Sequence, residues 1–238
     1  MNGDVNGDVN REVSGSMTEI VARRIGTEQQ PIVIVDGFHP DPDALRATAA
    51  ATPFGAAHRH YPGIRAPLPT DYFSSVRPVF APVLRDVFGH VAGIDLIDAS
   101  FSIVTTPPAD LTLEQRIPHV DAVQSGRIAL VHFLDTEGGD GTAFYRHRGT
   151  GFETIDAARS PTYLSRLNAE LRATPPPAGY VADDTPLFER IAHVAARYNR
   201  AVIYRSALLH SGAIRPDAAL DPDPSTGRLT VTAFLAAA

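Results

Sequence analysis

Hydrophobic and polar positions change period several times along the chain, and each change marks an element. Residues 31–35 (PIVIV) are a short apolar run closed by Asp36 and Gly37, the pattern of a strand. Asp41 and Pro42 then stand as N-cap and first helical residue, so a helix is predicted from there. Residues 53–69 are rich in Pro, Gly and His and read as a loop. Over 71–88, Tyr72, Val76, Phe80, Leu84 and Phe88 recur at helical spacing, with Pro78 and Pro82 as weak points. Strands are predicted at 94–106, 127–136 and 141–148, with Glu137-Gly138-Gly139-Asp140 as a hairpin turn between the last two. Helices are predicted at 158–173 and at 184–199, the second placing Leu187, Ile191, Val194, Ala195 and Tyr198 on one face. Strands at 200–210 and 227–235 complete the pattern.

Helices first, then strands around a helical insertion, predict a mainly β protein with α elements (α+β). A jelly roll or β-sandwich buttressed by helices is the expected form. Residues 1–27 begin with a repeated NGDV and are expected to be a disordered tail, leaving 28–238 as one domain. Pro175-Pro176-Pro177 resembles a linker, yet neither side of it is complete alone. A chain of 238 residues with 44% hydrophobic content suits that single core.

Composition narrows the chemistry. The absence of cysteine excludes disulfides, thiolate nucleophiles and iron–sulfur clusters. Lysine is absent as well, so all 21 basic residues are arginines, and Schiff-base and P-loop chemistry fall away. A net charge of −6 speaks against nucleic acid or an anionic membrane as partner. No signal peptide or membrane-spanning run is legible, and the cytoplasm is the expected compartment. A small-molecule substrate is expected, and the sequence leaves the oligomeric state open.

The triplet His-x-Asp presents two metal ligands on one side of a strand, because residues i and i+2 point the same way. About one such triplet is expected by chance in a chain of this composition. Two occur: His39-Pro40-Asp41 and His119-Val120-Asp121. Asp41 is fully explained as a helix cap. For His119 and Asp121 the ordinary alternative is a surface loop with a local hydrogen bond. His210 tips the balance, standing at the end of the apolar strand 200–210. Two histidines and a carboxylate are the facial ligand set of non-haem iron(II), with coordination positions left open. Arg228, with Thr230 two residues on, can grip a carboxylate with a supporting hydroxyl, and arginine must do this work where lysine is absent. The ordinary reading of His210 is a partly buried strand-end histidine, and of Arg228 a solubilising edge charge.

The motifs PHVD (118–121), GGDGTAFYRHR (138–148), NRAVIYRSALLHSG (199–212) and GRLTVTAF (227–234) occur in this order over 94–235. In that order they resemble the iron(II)- and 2-oxoglutarate-dependent oxygenases, closest to the prolyl-hydroxylase-like branch and its small bacterial relatives. The resemblance implies a double-stranded β-helix with His119, Asp121 and His210 as iron ligands. It makes Arg228 the 2-oxoglutarate anchor, with Thr230 as helper. Thr142 is a further co-substrate candidate, and Tyr61 and Arg65 of YPGIRAP (61–67) are candidates for the substrate mouth, with His58 and His60 nearby. His132 reads as a satisfied core histidine. One departure is a long gap between His210 and Arg228, filled by a polar, Pro-rich loop. If that loop fails to return the chain beside His210, Arg215 or Arg205 takes the anchor role.

The implied reaction is dioxygen-dependent oxidation of a C–H bond, with 2-oxoglutarate consumed to succinate and carbon dioxide. Hydroxylation is the default outcome; desaturation and cyclisation use the same ligands. An aspartate at 121 speaks against a halogenase. A free or modified amino acid is a candidate substrate. The alternatives are a cupin-like metal enzyme without 2-oxoglutarate and a non-catalytic β-sandwich binding protein.

Overall fold

A computed structural model describes residues 18–57, 61–90, 93–135 and 140–237. Its elements, in chain order, are Glu19–Ile25 (β1), Gln30–Asp36 (β2), Pro42–Ala51 (α1), Gly55–Ala56 (β3), Gly63–Pro67 (β4), Tyr72–Asp86 (α2), Ile94–Val104 (β5), Arg127–Phe133 (β6), Gly141–His147 (β7), Ser160–Ala173 (α3), Phe188–Ala195 (β8), Arg200–Arg205 (β9), His210–Gly212 (β10) and Leu229–Ala237 (β11). An eight-stranded sheet runs β1-β2-β9-β6-β11-β5-β4-β3, and a three-stranded sheet runs β10-β7-β8. All strand pairings among the described residues are antiparallel. The β-rich α+β class expected from the sequence is the class the chain adopts.

The period of two along the strands sorts side chains into layers. On β9, Ala201 and Ile203 join the core beneath α1 and α2, with Leu45, Tyr72, Val76 and Phe80. The alternate residues Val202 and Tyr204 face the second sheet and meet Phe144 and Val194. On β7, Ala143 and Tyr145 point outward beneath Tyr163 and Leu167 of α3. The order is therefore helices, large sheet, small sheet, helix. Both central strands are buried on two faces, which is why they read as continuous apolar runs.

Local signals explain most boundaries. Asp41 accepts a hydrogen bond from the Ala44 N–H at 3.0 Å and caps α1 as expected. Pro78 lies inside α2 on its exposed side, where the i−4 hydrogen bond it removes can be replaced by solvent. Gly227 closes the polar loop before β11: a Cβ there would stand 2.2 Å from the Asp221 carbonyl oxygen.

Several expectations are corrected. The predicted hairpin is not one: β6 pairs with β9 and β11, whereas β7 pairs with β8 and β10, so the chain crosses between sheets there. Its proposed turn residues Glu137, Gly138 and Gly139 lie outside the described residues. The helix expected at 184–199 is strand β8. The loop expected at 53–69 contains β3 and β4. The expected tail boundary is also too late. β1 pairs along its full length with β2, and the turn joining them is bound to the domain. There, Glu153 accepts hydrogen bonds from the backbone N–H groups of Thr27 and Glu28, both at 2.9 Å, and from Arg146 Nε at 2.9 Å. Glu28 reciprocates, accepting from the N–H groups of Glu153 at 3.1 Å and Thr154 at 3.2 Å and from Arg159 at 2.6 Å. Gly26, with φ +65, permits the approach, since a Cβ would lie 2.1 Å from the Glu153 carboxylate. Burial pushes the Glu153 carboxyl up, but its donors win and hold it below the usual range.

His132 is a satisfied core histidine. It is fully buried, its Nε2–H donates to Asn199 Oδ1 at 3.0 Å, and its Nδ1 accepts from the Tyr72 hydroxyl at 3.2 Å. Asn199 in turn accepts from the His39 N–H at 2.8 Å and donates to the His39 carbonyl at 3.0 Å. Burial lowers the His132 pKa to about 3, against the Asn199 contact. The native state keeps this ring neutral while the unfolded chain protonates near the ordinary histidine value. Its contribution is thus complete above pH ~6.5 and is lost as pH falls toward the native value. Urea unfolding at pH 7 and pH 5 should differ by about 2 kcal/mol through His132. His132→Gln should flatten the pH dependence by that amount; an unchanged slope would place the acid sensitivity elsewhere.

Candidate metal centre

His119 and His210 face each other across an antiparallel bridge: the N–H of each donates to the carbonyl of the other, both at 2.9 Å. Directly paired residues put their side chains on the same face. Two residues on, the chain bends and the Asp121 N–H donates to the Ser206 carbonyl at 2.9 Å, which holds Asp121 beside the two imidazoles. The result is one ligand atom from each residue, all within 4.8 Å of one another.

Protonation makes this cluster cation-seeking. His210 Nδ1–H donates to the Leu208 carbonyl at 2.8 Å, so Nε2 carries the lone pair. That nitrogen lies 3.5 Å from Asp121 Oδ2, a buried atom with no hydrogen-bond partner. A lone pair facing a carboxylate oxygen needs a positive charge between them. Burial lowers the His210 pKa to about 4 despite the Leu208 carbonyl. Burial also raises Asp121 to about 6, against the pull of His119 and Arg65. At neutral pH the pair is a neutral imidazole and a carboxylate, the form a divalent metal requires. His119 Nε2 stands 3.8 Å from Asp121 Oδ1, and its side chain is 52% exposed against 6% for His210, so the cluster opens outward on the His119 side. The buried Tyr204 ring meets the His210 ring edge-on at 4.7 Å.

The second candidate group lies on neighbouring strands. Thr230 pairs with Ser102 of β5 and Phe133 of β6, and its fully buried hydroxyl donates to the Ser102 carbonyl at 3.2 Å. Arg228 Nη2 donates to the Gly141 carbonyl at 3.0 Å, so the polar loop does bring this arginine back to β7, the strand that pairs with His210. Arg205 instead lies over the Phe88 ring, and Arg215 is half exposed. Tyr61 fills the space beside Arg228. Its hydroxyl is buried next to Thr230 and Ser102 without hydrogen-bond geometry to either, and its ring lies 4.6 Å under the Arg65 guanidinium. Burial raises the Tyr61 pKa over the opposing pull of Arg228 and Arg65. Thr142, 3% exposed, shares the inter-sheet side of β7 with Phe144. His58 and His60 lie outside the described residues.

Sequence reasoning missed Ser102, Tyr204 and Tyr180, whose hydroxyl donates to the Thr106 carbonyl at 2.7 Å near Tyr61. Ser102 and Tyr204 sit on strands already predicted, and strand parity relative to Arg228 and His210 could have found them. Tyr180 lies in an irregular segment with no pattern to place it. The rival pair is not a ligand set: His39 Nδ1 accepts from the Asp41 N–H at 3.1 Å, and Asp41 is spent on its helix.

Asp121→Ala should abolish binding of cobalt(II), tracked by its visible absorption, while leaving the metal-free melting temperature unchanged or higher, since a buried unpaired carboxylate is removed. Asp41→Ala should do the reverse: retain cobalt(II) and lose about 1 kcal/mol of stability. Retained cobalt in the first variant would rule out the cluster as the metal centre.

Among the described residues no helix is long and apolar enough to cross a membrane. No curated protein matches the chain. Among solved structures, HygX from Streptomyces hygroscopicus, determined with nickel and 2-oxoglutarate bound, is similar at a TM-score of 0.48 and 12% identity over 88% of this chain and 83% of that one. Residues 16–235 match the family of unknown function DUF6445, and the chain belongs to that family.

Proposed function

We propose that this protein is an iron(II)- and 2-oxoglutarate-dependent oxygenase that oxidises a C–H bond of a small molecule, releasing succinate and carbon dioxide. The observation that carries this reading is the unpartnered Asp121 carboxylate oxygen facing the lone pair of His210, with His119 completing the ligand set. The donor set, two imidazoles and one carboxylate, fits iron(II). Ferrous iron, when bound, supplies open positions for a chelating 2-oxoacid and for dioxygen, and the electrons that activate dioxygen.

The remaining work falls to the chain. Leu208 fixes the His210 tautomer through its carbonyl, so the ring always presents Nε2. Arg228 has Nη2 donating to Gly141 and offers the Nη1 end of its planar fork to the distal carboxylate of 2-oxoglutarate. Thr230 is the expected hydroxyl helper, but its proton goes to Ser102. Tyr61 has a buried hydroxyl without a partner and takes that role, moving from the substrate mouth to the co-substrate side. Arg65 acts electrostatically on both Tyr61 and Asp121, which ties the co-substrate side to the metal cluster.

Anaerobic titration of the iron(II)-loaded protein with 2-oxoglutarate should produce the visible charge-transfer band of a metal-bound 2-oxoacid. Arg228→Gln should weaken 2-oxoglutarate by about 2–4 kcal/mol through loss of a charge-assisted contact. Iron affinity should stay within about twofold, because Arg228 is no ligand. Absence of the band in the wild type, with iron bound, would instead favour a metal enzyme that does not use 2-oxoglutarate.

A further inference from the structure

Asp140 touches both arginines at the ends of the polar loop. It is only 6% exposed and stands immediately before β7. Its backbone is fixed, since its carbonyl accepts the Ala196 N–H at 2.6 Å. Its Oδ1 accepts the Arg215 N–H at 3.0 Å and lies 3.4 Å from Arg215 Nε. Its Oδ2 lies 3.7 Å from Arg228 Nε, on the edge of the guanidinium next to the Nη2 that donates to Gly141.

Resting on the oxygenase reading above, we infer that Asp140 is a positioning residue that holds the Arg228 guanidinium so that its far edge meets the distal carboxylate of 2-oxoglutarate. A guanidinium is planar, and Nε and Nη2 span one side of it. With Asp140 drawing Nε and Gly141 receiving Nη2, that side faces β7 and the Nη1 end faces away from it. The carboxylate also separates two cations: without its charge, Arg215 and Arg228 face each other across a neutral amide. Arg215 is half exposed and can turn to Asp217 or to water. Arg228 is only 10% exposed and has no such freedom. Asp140 therefore acts on 2-oxoglutarate through Arg228, without touching it.

The test compares two 2-oxoacids that chelate iron alike. 2-Oxoglutarate has the distal carboxylate and 2-oxobutyrate lacks it. Each is titrated anaerobically into the iron(II)-loaded full chain, reading the visible band. Asp140→Asn keeps the acceptor for the Arg215 N–H and removes the charge. It should weaken 2-oxoglutarate on the order of tenfold, the usual size of an effect passed through a supporting contact. 2-Oxobutyrate should be unaffected, and in an Arg228→Gln background Asp140→Asn should add nothing. Asp140→Ser serves the same purpose if the Asn form does not fold. Equal weakening of both oxoacids would make Asp140 merely structural and overturn the inference, as would unchanged or tighter 2-oxoglutarate binding. If Arg228→Gln itself leaves 2-oxoglutarate untouched, the oxygenase reading fails first; if only the Asp140 variants are silent, the positioning role alone is lost.

Discussion

When two backbones exchange N–H···O bonds at a single residue pair, their side chains have no choice but to stand side by side. His119 and His210 are such a pair, joined by two 2.9 Å hydrogen bonds although the His119 segment forms no regular strand. The contact sets the position of both imidazoles before any metal is considered. Asp121 takes its place two residues on, where the chain bends and its N–H is held by the Ser206 carbonyl. The layers beneath maintain this one pairing. β10 is held by β7, β7 is buried on both faces, and the neighbouring β9 supplies the Tyr204 ring against His210.

How much of this the sequence discloses depends on whether a residue's role is local. Asp41 and Pro42 announce α1 because capping is settled within one turn. Tyr72, Val76, Phe80 and Leu84 announce α2 because one face of it is buried against one core. β8 fails the same test for a physical reason. Leu187, Ile191 and Val194 match a helical face, yet Phe188 and Val194 are buried against other layers, and pairing with β7 decides the outcome. β1 is hidden by its arginines, which are exposed along a sheet edge and resemble a tail. The apparent hairpin before β7 misleads because strands adjacent in sequence need not pair: β6 and β7 lie in different sheets.

The candidate metal ligands are legible because facial coordination needs particular residue types in a particular order. Their surroundings are less so. That Tyr61 rather than Thr230 keeps an unspent buried hydroxyl is decided by the Ser102 carbonyl, which belongs to a strand 128 residues away from Thr230. The lack of lysine has a comparable effect throughout the fold. Planar, permanently charged arginines bind the carboxylates that organise it, as at Glu153 with Arg146 and at Asp36 with Arg200.

The shared hold of one carboxylate on both Arg215 and Arg228 has a consequence for sequence variation. A loop whose two ends are pinned to the same point can change length without displacing the strand beyond it, much as a drawstring fixes a neck whatever the bag contains. Closing a longer loop costs only about 0.6 kcal/mol per doubling of its length. Residues 216–220 can therefore be lengthened, shortened or replaced by a different decoration at little expense, provided Gly227 keeps its close turn against the Asp221 and Asp223 carbonyls. The stretch that made the spacing between His210 and Arg228 unusual is thus a practical place to insert a label or a tag.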